Sequence, residues 1–281
     1  MNQPYDGANM IEQAQDFLDE SEAIYALVKD LSDEQMEQET GFKDWSINAV
    51  LRHLHIWNMA AYWSLTEPAK FHEFFKQAMA GMKDHAKQGR TSMRYFEADY
   101  LDNLSGAALV KTWRDFYQRM APEFEAADPA MRVEWAGPSM SARSSITARL
   151  MENWAHAQAI YDVLGLKREN HDRIRNIVMI GLNTYGWTFK VNREEAPQPV
   201  PYLKLTAPSG DIWEYGDPDT GEKIEGLAEQ FCQVVTQTRN IADTDLKVTG
   251  PIATRWMEIA QCFAGSAEKP PSPGQRAMKT S

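Results

Sequence analysis

A glutamate and a histidine four residues apart, Glu152 and His156, offer the chemistry of a metal site. They fall within residues 142–164, whose apolar spacing predicts a helix that Gly165 ends. Four helical steps of ~100° leave the two side chains about 40° apart on one face. A carboxylate and an imidazole placed in this way can bind a divalent cation, and the same spacing also occurs as an ordinary Glu–His contact on a helix surface.

Two further histidines, His53 and His55, lie on a helix predicted over residues 46–66, with Ser46 as its N-cap. Because they are two positions apart, their side chains point ~200° away from each other. They lie on opposite flanks of one apolar stripe, formed by Ile47, Val50, Leu51, Leu54, Trp57 and Ala61. Periodicity leaves the choice between them open, and for either histidine taken alone a hydrogen-bonded position at the edge of the core is the default interpretation.

Two segments around these residues resemble a known family. Residues 45–57 resemble the first metal-ligand helix of the DinB-like superfamily, in which a tryptophan, a Ser or Thr, and a His-Leu pair eight residues after the tryptophan are characteristic. Residues 149–165 look like the second ligand segment of its mycothiol-dependent maleylpyruvate isomerase branch. Carried over by position, the resemblance implies His53, Glu152 and His156 as metal ligands and so selects His53.

The resemblance continues toward the C-terminus. Residues 206–216, the Gly250-Pro251 pair and residues 259–265 are similar to an uncharacterised metal-binding subfamily near that isomerase. The sequence departs from its relatives at Ala159, where an acidic residue often follows the glutamine. A role for such an acid is therefore not implied for this chain.

The implied ligand set has a defined chemistry. Two imidazoles and one carboxylate leave an open coordination position, the pattern of catalytic zinc sites. Such an ion lowers the pKa of a bound water or thiol and polarises a carbonyl. Zinc is the expected metal, while nickel, manganese and iron share these ligand types. No catalytic residue is assigned beyond the ligands.

The resemblance also implies a low-molecular-weight thiol, mycothiol or glutathione, as an external cofactor. In that family the thiol adds to a cis double bond, the bond rotates, and elimination gives the trans product. The chain's own Cys232 and Cys262 fall on amphipathic segments, where cysteines are more often buried than reactive. The implied substrate is a small molecule that carries carboxylates.

Cationic and aromatic side chains near the ligands are candidates for substrate binding. Arg149 is the favoured carboxylate anchor, and the other arginines near it along the chain are Arg143, Arg173 and Arg175. Taken singly, each of these arginines is more often explained by a surface salt bridge. Trp57 and Trp154, each adjacent to a ligand in helical terms, are candidate pocket walls, although large rings on bundle helices more often belong to the core. Trp113 is expected in the core.

These features predict a divalent-metal-dependent enzyme that acts with an external thiol as an isomerase or transferase on a small unsaturated organic acid. A hydrolase that uses a metal-activated water is an alternative. A non-catalytic metal- or ligand-binding protein is the alternative from a different class.

Long helices must position these residues. Apolar periodicity predicts helices over residues 9–31, 46–66, 68–88, 105–126 and 142–164, and the short links between them favour a mainly α, up-and-down four-helix bundle. Strand-like runs follow at Trp187–Val191, Tyr202–Thr206, Asp211–Tyr215 and Leu246–Thr249, between helical stretches at 171–185, 226–238 and 251–263. We expect a metal-binding bundle domain over 5–165, a small α+β domain over 170–264, and a flexible tail over 265–281. The second domain is expected to complete the metal pocket or to mediate a homodimer.

Composition and charge exclude several classes of protein. Lys and Arg number 29 and Asp and Glu number 40, which gives a net charge of −11 and disfavours nucleic-acid binding. No apolar run approaches the ~20 residues of a transmembrane helix, so no membrane partner is expected. Two cysteines cannot build a disulfide framework. The polar, acidic N-terminus is unlike a signal peptide, so a cytoplasmic location is expected.

Overall fold

The computed structural model describes residues 10–278, which form two compact units divided between Ala157 and Gln158. The start of the predicted bundle domain at residue 5, the first residue of the predicted helix 9–31 and the last three residues of the predicted tail lie outside the described part. No helix in the described part of the chain combines the length and the apolarity needed to cross a membrane.

The first unit is built almost entirely from helices. In chain order these are α1 (Gln13–Val28), α2 (Asp33–Met36), α3 (Ile47–Thr66), α4 (Pro68–Lys87), α5 (Arg94–Tyr100), α6 (Gly106–Glu125) and α7 (Ala142–Val163), the last of which continues into the second unit. The short antiparallel strands β1 (Arg132–Val133) and β2 (Met140–Ser141) precede α7. Four of the helices form the predicted up-and-down bundle: α6 packs against α1 and α3, and α7 is hydrogen bonded to α1 and α3. Helix α4 packs against α3 and α5.

Hydrogen bonds tie α7 to two other bundle helices. The Asn153 side-chain amide donates to Ser21 Oγ of α1 at 2.8 Å. On α3, the Asn58 side-chain oxygen accepts from Arg149 Nε at 3.0 Å. The helix that carries Glu152 and His156 is thereby fixed against the helix that carries both candidate histidines.

Local sequence features set the ends of the helices that carry the candidate ligands. The Ser46 hydroxyl accepts a hydrogen bond from the Ala49 backbone at 3.2 Å, so it caps α3 as predicted. Pro68 is the first residue of α4, where its missing N–H is not needed. Gly165, two residues after α7, adopts the left-handed conformation with a φ of 66°, which ends that helix as predicted.

The bundle core is rich in large side chains from α6. This helix turns one fully buried face inward at helical spacing, formed by Leu109, Trp113, Tyr117, Met120 and Phe124. Phe17 and Ile24 of α1 are equally buried. The expectation that Trp113 belongs to the core is therefore confirmed.

The second unit combines short helices with a mixed four-stranded sheet. Its elements are α8 (Arg175–Asn183), α9 (Tyr185–Val191), β3 (Tyr202–Thr206), β4 (Ile212–Tyr215), β5 (Lys223–Leu227), α10 (Ala228–Val235), β6 (Lys247–Thr249) and α11 (Pro251–Ile259). The strand order is β4-β3-β5-β6, with β3 and β5 parallel and the other pairs antiparallel. Leu205 lies opposite Trp213 in the predicted hairpin, whose turn contains Gly210 with a φ of 92°. The α+β prediction is confirmed.

Two predictions in this unit need correction. Residues Trp187–Val191 were expected to form a strand, but they belong to helix α9, where Tyr185, Thr188 and Phe189 are buried at helical spacing. A five-residue window does not separate a period of two from a period of 3.6. The helix predicted from residue 226 begins at Ala228, because residues 223–227 pair with β3.

The tail contains no helix or strand over residues 265–278, yet its backbone is hydrogen bonded to the second unit. The Asn240 side-chain amide donates to the Pro271 carbonyl at 2.8 Å. The Gly274 N–H donates to the Asp243 carboxylate, also at 2.8 Å. The flexibility of this tail, expected from its proline-rich composition, stays a prediction.

Candidate metal centre

Three side chains of the first unit converge on one point. His53 comes from α3, Glu152 and His156 come from α7, and their possible ligand atoms all lie within 4.8 Å of one another. His156 Nε2 is 3.2 Å from Glu152 Oε2, and His53 Nε2 is 4.0 Å from the same oxygen. The three side chains keep between 10% and 25% of their surface exposed, so the cluster is mostly buried but retains some contact with solvent.

The electrostatics of the cluster favour a cation. Burial raises the pKa of the Glu152 carboxyl, but the hydrogen bond from His156 and the charge of Arg149 outweigh it and bring the pKa to about 2. Burial also lowers the pKa of His156, so its imidazole is neutral at pH 7. An ionised carboxylate and a neutral imidazole are the protonation states that a metal ion requires.

A buried glutamate, Glu97 of α5, holds the far side of the His53 ring. Its Oε1 lies 2.7 Å from His53 Nδ1 and also accepts a hydrogen bond from Trp57 Nε1 at 3.1 Å. Sequence reasoning missed Glu97, because its helix was not predicted and no spacing rule joins residues 44 positions apart. With Nδ1 bonded to Glu97, the other ring nitrogen of His53 faces Glu152.

Aromatic rings from the loop before α3 cover the cluster. Phe42 meets the His156 ring edge-on, with the ring centroids 4.8 Å apart. The Trp45 ring lies 5.3 Å from the His53 ring and stacks within 7° of parallel on the His156 ring, at 6.2 Å. Phe42 is not identifiable from the sequence, because an aromatic residue in a loop, far from His156 along the chain, belongs to no periodic pattern.

The backbone of this loop is strained. Lys43 and Asp44 both adopt left-handed conformations, with φ values of 51° and 54°. Such conformations are unfavourable for non-glycine residues and persist where surrounding contacts enforce them. Here Arg94 donates to the Asp44 carbonyl at 2.5 Å, and Trp45 Nε1 donates to Ser92 Oγ at 3.2 Å. These contacts hold the aromatic rings against the two histidines.

Arg149 is buried beneath the cluster. Its guanidinium donates to the Asn58 side chain at 3.0 Å and to the Leu54 carbonyl at 3.4 Å. Burial lowers its pKa to about 10, against the opposing charges of Glu152 and Glu97, so it remains charged at neutral pH. Only 2% of Arg149 is exposed, and its charge is balanced by protein carboxylates. Direct contact with a substrate stays a prediction for this residue.

His55 does not join the cluster. It is 3% exposed and its ring meets Phe116 edge-on, with the centroids 5.4 Å apart. The structure therefore brings His53, and not His55, to Glu152 and His156, which is the choice that the resemblance implied.

The remaining candidates lie in different surroundings. Trp57 is 9% exposed, with its ring 6.2 Å from that of His53, whereas Trp154 is 1% exposed and belongs to the interior. Arg143 is exposed near the start of α7. The other predicted polar and thiol groups belong to the second unit, namely Arg173, Arg175, Cys232 and Cys262, and both cysteines are buried.

A mainly α bundle that gathers two histidines and a glutamate from two of its helices defines a DinB-like protein. A family profile described as "Mycothiol maleylpyruvate isomerase N-terminal domain" matches residues 17–161, which is more than half of the chain. The chain belongs to this family.

Relatives and solved structures extend the comparison. Two Mycobacterium tuberculosis proteins, "Uncharacterized protein MT0041" (strain CDC 1551 / Oshkosh) and "Uncharacterized protein Rv0036c" (strain ATCC 25618 / H37Rv), are 34% identical over 256 residues. The match covers 91% of this chain and 95% of each relative. Crystal structures of the mycothiol-dependent maleylpyruvate isomerase and of a mutant of it match with TM-scores of 0.48 and 0.47 at 14% identity, covering 80% of this chain and 86% of theirs.

Proposed function

We propose that this protein is a divalent-metal-dependent enzyme that works with an external low-molecular-weight thiol. Its reaction is an isomerisation or transfer on a small unsaturated organic acid. The observation that carries the proposal is the convergence of His53, Glu152 and His156 within 4.8 Å. Membership of the mycothiol maleylpyruvate isomerase family supports both the thiol and the class of substrate.

The residues present fit a metal ion. Two imidazole nitrogens and one carboxylate oxygen form the donor set of catalytic zinc sites, which leave a further position open. A second feature is Glu97 Oε2, which is buried and has no hydrogen-bond partner among residues 10–278. Leaving a carboxylate oxygen unpaired in the interior is costly unless positive charge lies nearby. A cation held by His53 would supply such charge.

The thiol is assigned to an external cofactor because the chain's own thiols are unsuited to the task. Cys232 is fully buried in the second unit, and burial raises the pKa of its thiol well above the usual range. Cys262 is 5% exposed. Since the thiolate is the reactive form, a buried thiol of raised pKa is a poor nucleophile.

Each residue of the site has a distinct task in this proposal. A divalent ion held by His53, Glu152 and His156 would lower the pKa of a thiol or a water and polarise a carbonyl. Glu97 holds the His53 ring from behind, and the ionised Glu152 offsets part of the positive charge. Phe42 and Trp45 exclude water from one side of the imidazoles. Arg149 balances the buried carboxylates from within the bundle.

The test is a turnover assay with the full chain. Zinc-loaded protein is mixed with cis-unsaturated oxo acids, with and without mycothiol or glutathione, and the geometry of the product is determined. The proposal expects formation of the trans product that requires both metal and thiol. Turnover that ignores thiol but stops on metal removal would point to a hydrolase. A protein that holds zinc, shows no turnover with either thiol, and carries a tightly bound apolar ligand would be a binding protein.

A further inference from the structure

We infer that Glu97 is a positioning residue that keeps a ring proton of His53 on Nδ1 and thereby presents Nε2 to a metal ion. This inference rests on the proposed metal site. It concerns a residue that touches none of the reacting atoms and acts through His53.

The contact between the two side chains has the length of a charge-assisted hydrogen bond. His53 Nδ1 and Glu97 Oε1 are 2.7 Å apart, and Glu97 is 1% exposed. Bonds of this length between an imidazole N–H and a carboxylate are stronger than neutral ones, and burial shields them from competing water. The pair therefore persists with or without a ligand at the cluster.

The donor and the acceptor follow from chemistry. An ionised carboxylate only accepts, so the proton between the two side chains belongs to Nδ1. A neutral imidazole has one ring proton, which leaves a lone pair on Nε2 of His53. That nitrogen and Glu152 Oε2 are 4.0 Å apart, too far for a hydrogen bond between them. Two electron-pair donors at this separation leave space for a cation.

Packing fixes the position of Glu97. The indole N–H of Trp57 donates to the same Oε1 at 3.1 Å. Phe96, the preceding residue, is 7% exposed and belongs to an apolar cluster between α3, α4 and α5 that also includes Trp57 and Phe74. Because α5 is held by this cluster, Glu97 is presented to His53 by rigid neighbours. Outer partners of histidine ligands act in this way, and their loss typically lowers metal affinity 10–100-fold.

A purely structural role would produce the same hydrogen bond, so the test must report on the ring of His53 itself. Nitrogen NMR of the metal-free protein with labelled histidine distinguishes the two tautomers at mildly alkaline pH, where imidazole is neutral. The inference expects the wild-type His53 ring to carry its proton on Nδ1. A proton on Nε2 in the wild-type protein would overturn the inference without any variant.

Three variants complete the test. Glu97→Leu removes the acceptor and is expected to give a mixture of His53 tautomers and about 10–100-fold weaker zinc binding. Glu97→Gln keeps an acceptor without the charge and is expected to restore the Nδ1 proton and part of the affinity. Trp57→Phe, which removes the other hydrogen bond to Glu97, serves as the control and should leave the tautomer unchanged.

The outcomes separate this inference from the proposed function. A wild-type protein that binds no zinc contradicts the proposed function, while its tautomer still reports on Glu97. Zinc binding by the wild type together with an unchanged tautomer and affinity in Glu97→Leu contradicts only the inference. Equal losses of zinc affinity in Glu97→Leu and Trp57→Phe, with the His53 tautomer unchanged in both, would show that Glu97 only supports the packing of α5. That result would also overturn the inference.

Discussion

Two histidines on one helix, His53 and His55, have opposite surroundings. His53 lies between two carboxylates, with Nδ1 against Glu97 and Nε2 toward Glu152. His55 points to another face of α3, where its ring packs against Phe116 and its Nδ1 has no hydrogen-bond partner within the described residues. Residues two apart on a helix face nearly opposite directions, so one sequence motif serves two different environments.

The difference shows what makes a histidine a ligand. Burial and, to a smaller extent, the nearby positive charge of Arg119 lower the pKa of His55 to about 4, so its ring is neutral at pH 7. Neutrality alone does not create a metal site, because His55 has no carboxylate partner among the described residues. At His53, the Glu97 carboxylate fixes the ring and the Glu152 carboxylate supplies a further ligand atom for a metal. The surroundings, and not the residue type, separate the two histidines.

The largest effect on zinc affinity is expected from the loss of Glu152, the carboxylate that lies near His53 and has no counterpart near His55. Glu152→Gln removes the charged donor, and zinc affinity should fall by more than about 100-fold, since losing a ligand costs more than the 10–100-fold cost of losing an outer partner. A competition titration with a chromophoric chelator measures this. Glu22→Gln is the matched control, because Glu22 is similarly part-buried on α1 but pairs with Arg114. A wild-type zinc affinity in Glu152→Gln would show that Glu152 is not a ligand.

Metal removal should affect stability more than structure. Zinc at 100 times its dissociation constant stabilises the folded state by about 2.7 kcal/mol, so a chelator should lower the melting temperature. The helical circular dichroism should persist, because buried residues such as Trp113 and Phe124 build the bundle core. His53→Ala should show no chelator-dependent shift, whereas His55→Ala should behave as the wild type. Loss of helix on chelation would mean that the ion, and not the core, holds the bundle together.

A smaller effect is expected on the other side of α3. His55→Leu replaces a buried ring with an apolar side chain of similar size, which should change the free energy of unfolding by less than about 1.5 kcal/mol. Zinc affinity should stay at the wild-type value. Urea denaturation and the same chelator titration measure the two quantities. Weaker zinc binding in this variant would end the distinction between the two histidines.

The smallest effect is expected at the chain's own thiols. Cys232→Ala should leave the thiol-dependent kcat/KM within about twofold of the wild type, because burial keeps this side chain a thiol of raised pKa. The assay is the one that tests the proposed function. A loss of turnover with normal zinc content and normal stability would show that the protein supplies its own nucleophile.

The sequence predicts the helices that carry the candidate ligands better than it predicts the residues that contact those ligands. The ends of α3 and α7 are predictable because Ser46 and Gly165 are local capping features that act within a few residues. The four-residue spacing of Glu152 and His156 is likewise local. The partner of His53 is not predictable in this way, since Glu97 reaches it only when α5 packs against α3.

Errors in the second unit have a related cause. Residues 187–191 fit a strand pattern locally, but they belong to helix α9, in which Tyr185 and Phe189 are buried on one face. The strand β5 was not singled out, because its five residues include Lys223, Glu225 and Gly226 and pair with a strand about 20 positions earlier. In such short elements tertiary packing outweighs local propensity.

The most direct test of the account is the zinc content of two alanine variants. Wild type, His53→Ala and His55→Ala are purified identically and measured by elemental analysis. We expect about one zinc ion per chain in the wild type and in His55→Ala, and almost none in His53→Ala, because His53, and not His55, completes the donor set with Glu152 and His156. Zinc retained in His53→Ala and lost in His55→Ala would contradict the account.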